Sequence, residues 1–258
     1  MMNYAILGGG RLARHMSHYL SLLGIAHSNW SRDPHSLLNT HRQKNAKSRL
    51  EATLEDASHA LLLVSDGAIM DLLKRYPFLH EKVLVHCSGS QSFPGVAGAH
   101  PLMTFSASLY PLEQYRRIPF MVDSGYQFAE ILPGLPNSHF PIGVEDKPRY
   151  HALCVMAGNF TQILWKAAGE RFNKMGLPAS SLLPYLEQVS ANFADHPDSA
   201  LTGPLSRGDH GTVERNLKSL ESDPLHAVYQ SFLDLYRSDA PSRESNSQQA
   251  KWPREATS

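Results

Sequence analysis

Apolar residues from Tyr4 to Leu7 make a strand-length run that stops at Gly8-Gly9-Gly10, after which Leu12, Met16, Tyr19, Leu20 and Leu23 recur at helical spacing up to Gly24. The pattern predicts strand, glycine turn and helix. A second short strand is predicted from Ile25 to Trp30, followed by Ser31-Arg32-Asp33-Pro34, where Asp33 is placed to cap a helix starting at Pro34. Residues 41 to 59 are polar and are expected mostly at the surface. Ala60-Leu61-Leu62-Leu63-Val64 is apolar without interruption, as in a parallel strand buried on both faces, and Ile69, Leu72, Leu73 and Tyr76 then return to helical spacing. Val83-Leu84-Val85 repeats the strand pattern.

Shorter strands are predicted at Ile118 to Val122 and Ser138 to Ile142, with a brief helical stretch from Gln127 to Leu132 between them. Strand signals stop at the polar, turn-rich segment Gly143 to Pro148. Residues 150 to 175 read as one long helix through Leu153, Met156, Phe160, Ile163, Leu164, Ala167 and Phe172, ended by Gly176 and Pro178. Further helices are expected at about 180 to 193, 211 to 221 and 224 to 237. The fold class is therefore α/β: a Rossmann-type parallel-sheet domain over residues 1–145, then an all-α domain over 150–238. Residues 239–258 are polar and aperiodic and are expected to form a disordered tail.

Composition narrows the function classes. The chain has 258 residues, 42% of them hydrophobic, enough for a core without disulfide or metal staples. Cys87 and Cys154 stand far apart in sequence with no C-x-x-C, which fits a reduced, cytoplasmic protein and excludes zinc-finger spacing. Lys+Arg equals Asp+Glu at 24 each, so no global field exists to hold a polyanion, and nucleic acid is not an expected partner. No signal-peptide or membrane-spanning pattern is present, and no membrane partner is expected. The 14 histidines are scattered; His15 and His18 share a helix face, but no H-E-x-x-H or Cys/His cluster accompanies them, and no metal is expected.

Gly8-x-Gly10-x-x-Ala13 follows a predicted strand and opens a helix, the context in which this spacing binds a dinucleotide. Gly8 permits the tight turn, Gly10 lets the backbone approach a pyrophosphate, and Ala13 allows close packing, with the helix start at Arg11 and Leu12 supplying donors. Where NAD enzymes carry an acid at the end of the second strand, this chain reads Trp30-Ser31-Arg32. Ser31 and Arg32 suit a 2′-phosphate, so NADP is the expected cofactor; Asp33, one position on, is the competing NAD-type acid. Ser65 and Asp66, just beyond the Ala60–Val64 strand, belong to the same edge, with Asp66 expected to cap the next helix.

Four further segments are more specific: Val85-His86-Cys87-Ser88-Gly89, Ala99-His100-Pro101-Leu102-Met103-Thr104-Phe105, Tyr150-His151 through Ala157-Gly158-Asn159-Phe160, and Leu201-Thr202-Gly203-Pro204-Leu205-Ser206-Arg207-Gly208-Asp209. In this order they resemble a bacterial family that joins an NADP-oxidoreductase-like Rossmann domain to a helical domain of unknown function, the latter similar to C-terminal domains of 6-phosphogluconate dehydrogenase relatives. The resemblance covers about residues 3 to 237 and implies an NADP-linked reduction, without supplying a substrate. Relatives that share the Rossmann half, pyrroline-5-carboxylate reductase and deazaflavin-dependent NADP reductase, imply a homodimer built through the helical domain. Hydroxyacid dehydrogenases of the superfamily carry Lys-x-x-x-Asn on the first long helix; here Val155 stands four residues before Asn159, so their catalytic lysine is absent.

Candidate chemistry concentrates at a few positions. Ser88 ends a predicted strand at the ligand edge, and His100 has the right natural acidity to donate a proton to a carbonyl oxygen or an imine product. Asn159, Gln162 and Lys166 share a helix face, with Asn159 expected to be buried and to orient a substrate carbonyl or the nicotinamide amide. Thr202, Arg207 and Asp209 form a turn that could clamp an anionic substrate, unless Arg207 and Asp209 simply pair. Cys87 reads as a small buried residue and His86 as structural. The expected function is NADP-dependent oxidoreduction of a small carbonyl, imine or hydroxy compound in the cleft between the domains. The alternative is a non-catalytic NADP-binding sensor or assembly protein.

Overall fold

In the computed structural model, which describes residues 3–42 and 45–238, β1 (Tyr4–Leu7) and β3 (His59–Leu62) lie side by side at the centre of the sheet with every residue buried. Around them are β2 (His27–Trp30), β4 (Val83–His86), β5 (Ala97–Pro101), β6 (Phe120–Asp123) and β7 (His139–Ile142), in the order β2-β1-β3-β4-β5-β6-β7. The first five strands pair in parallel; β6 runs antiparallel to β5, with His100 opposite Met121, and β7 runs parallel to β6. The sheet is thus mostly parallel, and the direction of winding reverses between β1 and β3, where open α/β sheets place their ligands.

Alternation divides the core between two faces. Tyr4, Ile6, Leu61 and Val85 pack with Ala13, Met16, Tyr19 and Leu20 of α1 (Arg11–Leu22), the helix face anticipated from periodicity. Ala5, Leu7, Ala60, Leu62 and Leu84 pack on the opposite face with Leu50 and Leu54 of α2 (Ala46–Leu54) and Ile69 and Leu73 of α3 (Asp66–Arg75). The polar reading of 41–59 therefore missed a helix. Leu50 and Leu54 supply a one-sided stripe too narrow to dominate its composition, and Arg49 and Thr53 are buried beside them. No helix begins at Pro34; Asp33 instead closes a turn, its Oδ1 accepting the His35 N–H at 2.9 Å. Two short helices, α4 (Leu112–Arg116) and α5 (Phe128–Ile131), complete the connections of β5 to β7.

Beyond β7, α6 (Lys147–Val155) runs into a π-helical turn at Met156–Phe160 and continues as α7 (Thr161–Lys174). The expected single helix is therefore interrupted by one wide turn. Its end is as anticipated: Gly176 adopts φ 79°, and the Leu177 N–H returns to the Phe172 carbonyl at 2.9 Å. The chain divides into two compact units between Trp165 and Lys166. The second unit continues α7 and adds α8 (Leu183–Asp195), α9 (His210–Ser219) and α10 (Leu225–Ser238), near the predicted positions. Arg171 fastens α7 to the turn before α10 through a two-pronged pair with Asp223 at 2.9 and 2.7 Å. The expected disordered tail at 239–258 lies outside the described residues.

Candidate functional site

Two cavities open at the carboxyl edge of the parallel strands. The first, about 490 Å³, lies at the β1/β3 reversal. Gly8 crosses so close to β3 that a Cβ there would sit 2.1 Å from the Leu63 carbonyl oxygen, so the turn accepts only glycine. Gly10 caps α1 without a side chain, and a Cβ at this position would meet no atom within 4 Å. No acid stands in the first turn of α1, which begins at Arg11 and Leu12, to repel an anion. Ala13 is fully buried against the sheet, in the packing role its size implied.

Ser31, Arg32 and Asp33 line the far wall of this cavity together with Ser65, Asp71, Arg75 and Tyr76. Ser31 is tied down: its N–H donates to Asn39 Oδ1 at 2.6 Å, and its carbonyl and that of Arg32 accept from the buried Arg49 guanidinium at 3.3 and 3.2 Å. Arg49 therefore shapes the loop that presents Arg32, and Arg75 adds a second guanidinium to the same wall. Sequence reading missed both, because Arg49 sits in the segment taken as surface and Arg75 at the end of a helix read only for its apolar face. Asp33 faces the cavity with one oxygen engaged by its own turn. A glycine turn, a helix start and the Arg32 and Arg75 guanidinium groups, with the Asp33 and Asp71 carboxylates on the same wall, fit a dinucleotide.

Asp66 does not cap α3, whose N-cap is Ser65. Its Oδ2 accepts the Ser88 hydroxyl at 2.5 Å, and Ser88 Oγ in turn accepts the Gln91 N–H at 3.1 Å. Ser88 is buried, lines neither cavity and serves to close the loop after β4. Burial pushes the neighbouring Cys87 thiol up to about 12, which keeps it from being a thiolate nucleophile.

The second cavity, about 550 Å³, gathers His100 from β5, Leu102 to Phe105 from the loop after it, and His151, Cys154, Asn159 and Gln162 from α6, the π turn and α7. His100 Nδ1 lies 2.7 Å from the Tyr150 hydroxyl. Gly89 makes room for both imidazoles: a Cβ there would fall 2.6 Å from His151 Cδ2 and 3.1 Å from His100 Nε2. Burial, reinforced by His151 and Lys147 and opposed by Asp66, lowers the His100 imidazolium to about 4, so the ring is neutral at physiological pH. Asn159 is exposed rather than buried; it reaches the cavity because the π turn, a device frequent at functional sites, carries it there. Lys166 takes no part and pairs with Glu170 at 4.0 Å in solvent. Tyr150, His151 and Cys154 were not assigned roles from sequence.

Beneath this cavity lies a buried polar cluster. Lys147 Nζ donates to Asp123 Oδ1 at 2.6 Å, Ser92 donates to Asp123 Oδ2 at 3.3 Å, and His86 Nε2 stands 3.9 Å from that oxygen. Gly98 is required opposite, since a Cβ there would lie 2.3 Å from Asp123 Oδ2. Burial and Lys147 lower His86 to about 4, consistent with the structural role expected of it. On the far side of the loop after β5, His15 uses both ring nitrogens, with the Tyr115 hydroxyl at 2.8 Å and the Ser106 carbonyl at 3.0 Å, which anchors the segment that walls the cavity.

In the second unit, Thr202 and Arg207 are exposed and Asp209 caps α9, its oxygens taking the Thr212 N–H at 3.0 Å and hydroxyl at 2.7 Å. Those two bonds, with weaker attraction from Arg215 and Arg207, hold the Asp209 carboxyl below its ordinary value. A cap of this kind leaves little of Asp209 for a substrate clamp. Among the described residues, no three His, Cys, Asp or Glu side chains gather as a metal site, and no helix is long and apolar enough to cross a membrane.

A mostly parallel, doubly wound sheet with a glycine-lined crevice at its reversal, followed by a helical region, defines a Rossmann-type nucleotide-binding architecture. Residues 123–236 match the model of the family described as Domain of unknown function (DUF2520). A protein from Thermotoga maritima is similar in structure at 25% identity and TM-score 0.65, over 93% of this chain and 99% of that one. A Bacteroides fragilis protein, provisionally named an NADP oxidoreductase, is similar at 22% identity and TM-score 0.67, over 92% and 97%. A reductive aminase from Aspergillus terreus, in complex with NADPH and ethyl levulinate, shares the fold at 15% identity and TM-score 0.57, over 95% and 94%. No curated protein matches the chain.

Proposed function

We propose that the chain is an NADP-dependent oxidoreductase acting on a small carbonyl, imine or hydroxy compound. The observation that carries this reading is the pair of cavities at one sheet edge: one built from Gly8, Gly10 and the amides of α1 with Arg32 on its wall, the other holding His100. In the first, the α1 amides receive the pyrophosphate and Ser31 and Arg32 the 2′-phosphate, with Arg49 holding their loop. NADPH, when bound, supplies a hydride. In the second, His100 donates a hydrogen bond to the reacting oxygen or nitrogen, and Asn159 and Gln162 orient the substrate. A charge-assisted contact of about 1.5–3 kcal/mol makes Arg32→Ala lower NADPH affinity roughly ten- to a hundredfold and leave NADH affinity nearly unchanged. Trp30, buried on the wall of the first cavity, reports the titration by fluorescence, and an unchanged NADPH affinity would refute the assignment.

We further infer a homodimer through the helical region. In the second unit only Gly169, Val213 and Leu233 are buried among the described residues, while Met175, Leu183, Tyr185, Val228, Phe232 and Leu235 are exposed. Leu153, Met156, Phe160 and Ile163, read from their spacing as part of one long helix, are likewise exposed. So much uncovered apolar surface is the mark of an interface, and a net charge of zero raises no barrier to pairing with a second copy. Sedimentation equilibrium should give twice the chain mass of 28.7 kDa at micromolar concentration; a monomer there would remove the dimer.

A further inference from the structure

We propose that Tyr150 fixes His100 as the tautomer protonated on Nε2, and that the second cavity therefore takes a neutral ketone or aldehyde by its oxygen in preference to a protonated imine. This rests on the oxidoreductase reading above and narrows its substrate class.

The tautomer follows from one contact. The Tyr150 hydroxyl is 2.7 Å from His100 Nδ1. A phenol O–H is a better donor than an imidazole N–H, and a bare imidazole nitrogen is a far better acceptor than a phenol oxygen. The hydroxyl thus donates to Nδ1, and the ring proton resides on Nε2, the nitrogen for which Gly89 keeps space. The groups that face this imidazole are Tyr150, Cys154, His151 and Lys147 from α6 and Asp66 from α3. Burial, reinforced by His151 and Lys147, outweighs the opposing Asp66 and keeps it uncharged, with His100 lowered to about 4, while burial raises the Tyr150 hydroxyl. A neutral imidazole held as an N–H donor polarises a carbonyl without first needing a proton from solvent.

The substrate class follows from what surrounds that donor. The polar lining is His151, Thr104, Asn159, Gln162 and the Cys154 thiol, and the remainder is apolar, with Leu102, Met103, Phe105 and Val155 among it. Among the described lining residues none bears a carboxylate. A protonated imine entering here would shed its hydration with no carboxylate in the lining to meet it. A ketone loses little on entry, and the negative charge that grows on its oxygen meets hydrogen-bond donors already in place.

The proton balance closes through the same pair. For each hydride that the carbonyl carbon gains, the reduced nicotinamide being the reductant, the carbonyl π pair moves to oxygen and Nε2–H supplies the proton of the new O–H bond. Nδ1 takes the Tyr150 hydroxyl proton in the same event, so the imidazole stays neutral and a phenolate is left. Water then returns a proton to Nε2 as Nδ1–H goes back to the phenolate.

The test uses the full chain carrying isotope-labelled histidine. Long-range proton–nitrogen NMR at neutral pH, assigned with a His100→Gln variant, should show His100 protonated at Nε2, and Tyr150→Phe should convert it to a mixture of tautomers. Turnover of cyclohexanone with NADPH should exceed that of the cyclic imine pyrroline by at least about tenfold. In Tyr150→Phe it should fall about a hundredfold, with NADPH affinity held within about twofold. A wild-type His100 protonated at Nδ1, faster reduction of pyrroline, or neither compound reacting while NADPH is bound would each overturn the proposal. Failure to bind NADPH would instead sink the oxidoreductase reading, with the tautomer still read independently.

Discussion

Lys147→Met should lower the free energy of unfolding by about 3–5 kcal/mol, the cost of leaving one member of a buried ion pair alone. Lys147 is 2% exposed and Asp123 3%, and Nζ approaches Oδ1 to 2.6 Å. Without the ammonium, the Asp123 carboxylate keeps only the Ser92 hydroxyl and a histidine held neutral. The pair joins β6 to the first turn of α6, so the loss falls on the segment that carries Tyr150 and His151. Neutralising the acid as well, in Lys147→Met with Asp123→Asn, should recover most of the loss, because the pair's Coulombic attraction mainly repays its own desolvation. Urea unfolding at neutral pH measures both variants. Lys147 is also one of the groups that lowers His86, so in the single variant His86 should take up a proton at higher pH beside Asp123 and restore part of the stability as the solution is acidified. A loss below about 1 kcal/mol would show that the carboxylate finds another partner.

His100→Ala should reduce turnover of a carbonyl substrate by about a hundred- to ten-thousandfold, or roughly 3–5 kcal/mol of barrier. NADPH affinity should be almost untouched, because His100 lines the second cavity and contributes nothing to the wall formed by Arg32 and Ser31. The split between an intact Kd and a collapsed kcat separates a proton-delivering residue from one that merely supports the fold, since general damage would move both. Normal turnover in this variant would remove His100 from the chemistry.

The glycine-lined crevice was legible because it is made of local features. A glycine turn after a strand and an arginine at the end of the next strand are contiguous in the chain, and the structure places Gly8, Gly10, Ser31 and Arg32 around one cavity. Long-range pairings were harder to see. Tyr150 meets His100 across 50 residues and Ser88 meets Asp66 across 22, and nothing in the spacing of either pair signals contact. Strand β5 escaped because Ala97-Gly98-Ala99-His100-Pro101 carries little β propensity; its place is set by pairing with β4 and by the space Gly98 leaves for Asp123. Helix α2 escaped because half of what it buries is polar. The apolar stripe on α6 and α7 was legible as helical, but its exposure was not, since periodicity identifies a face that seeks cover without saying which chain supplies it.

The wide turn at Met156–Phe160 amounts to one surplus residue held within a helix. Each residue of an α-helix advances the side chain by about 100°, so a surplus residue resets the angular phase of everything after it relative to everything before. Upstream and downstream halves of this rod consequently keep separate registers. Changes that re-aim His151 or Cys154 toward a different ligand need not rotate the apolar stripe that Ile163 continues, and the cavity wall can drift in evolution while that exposed stripe stays in place.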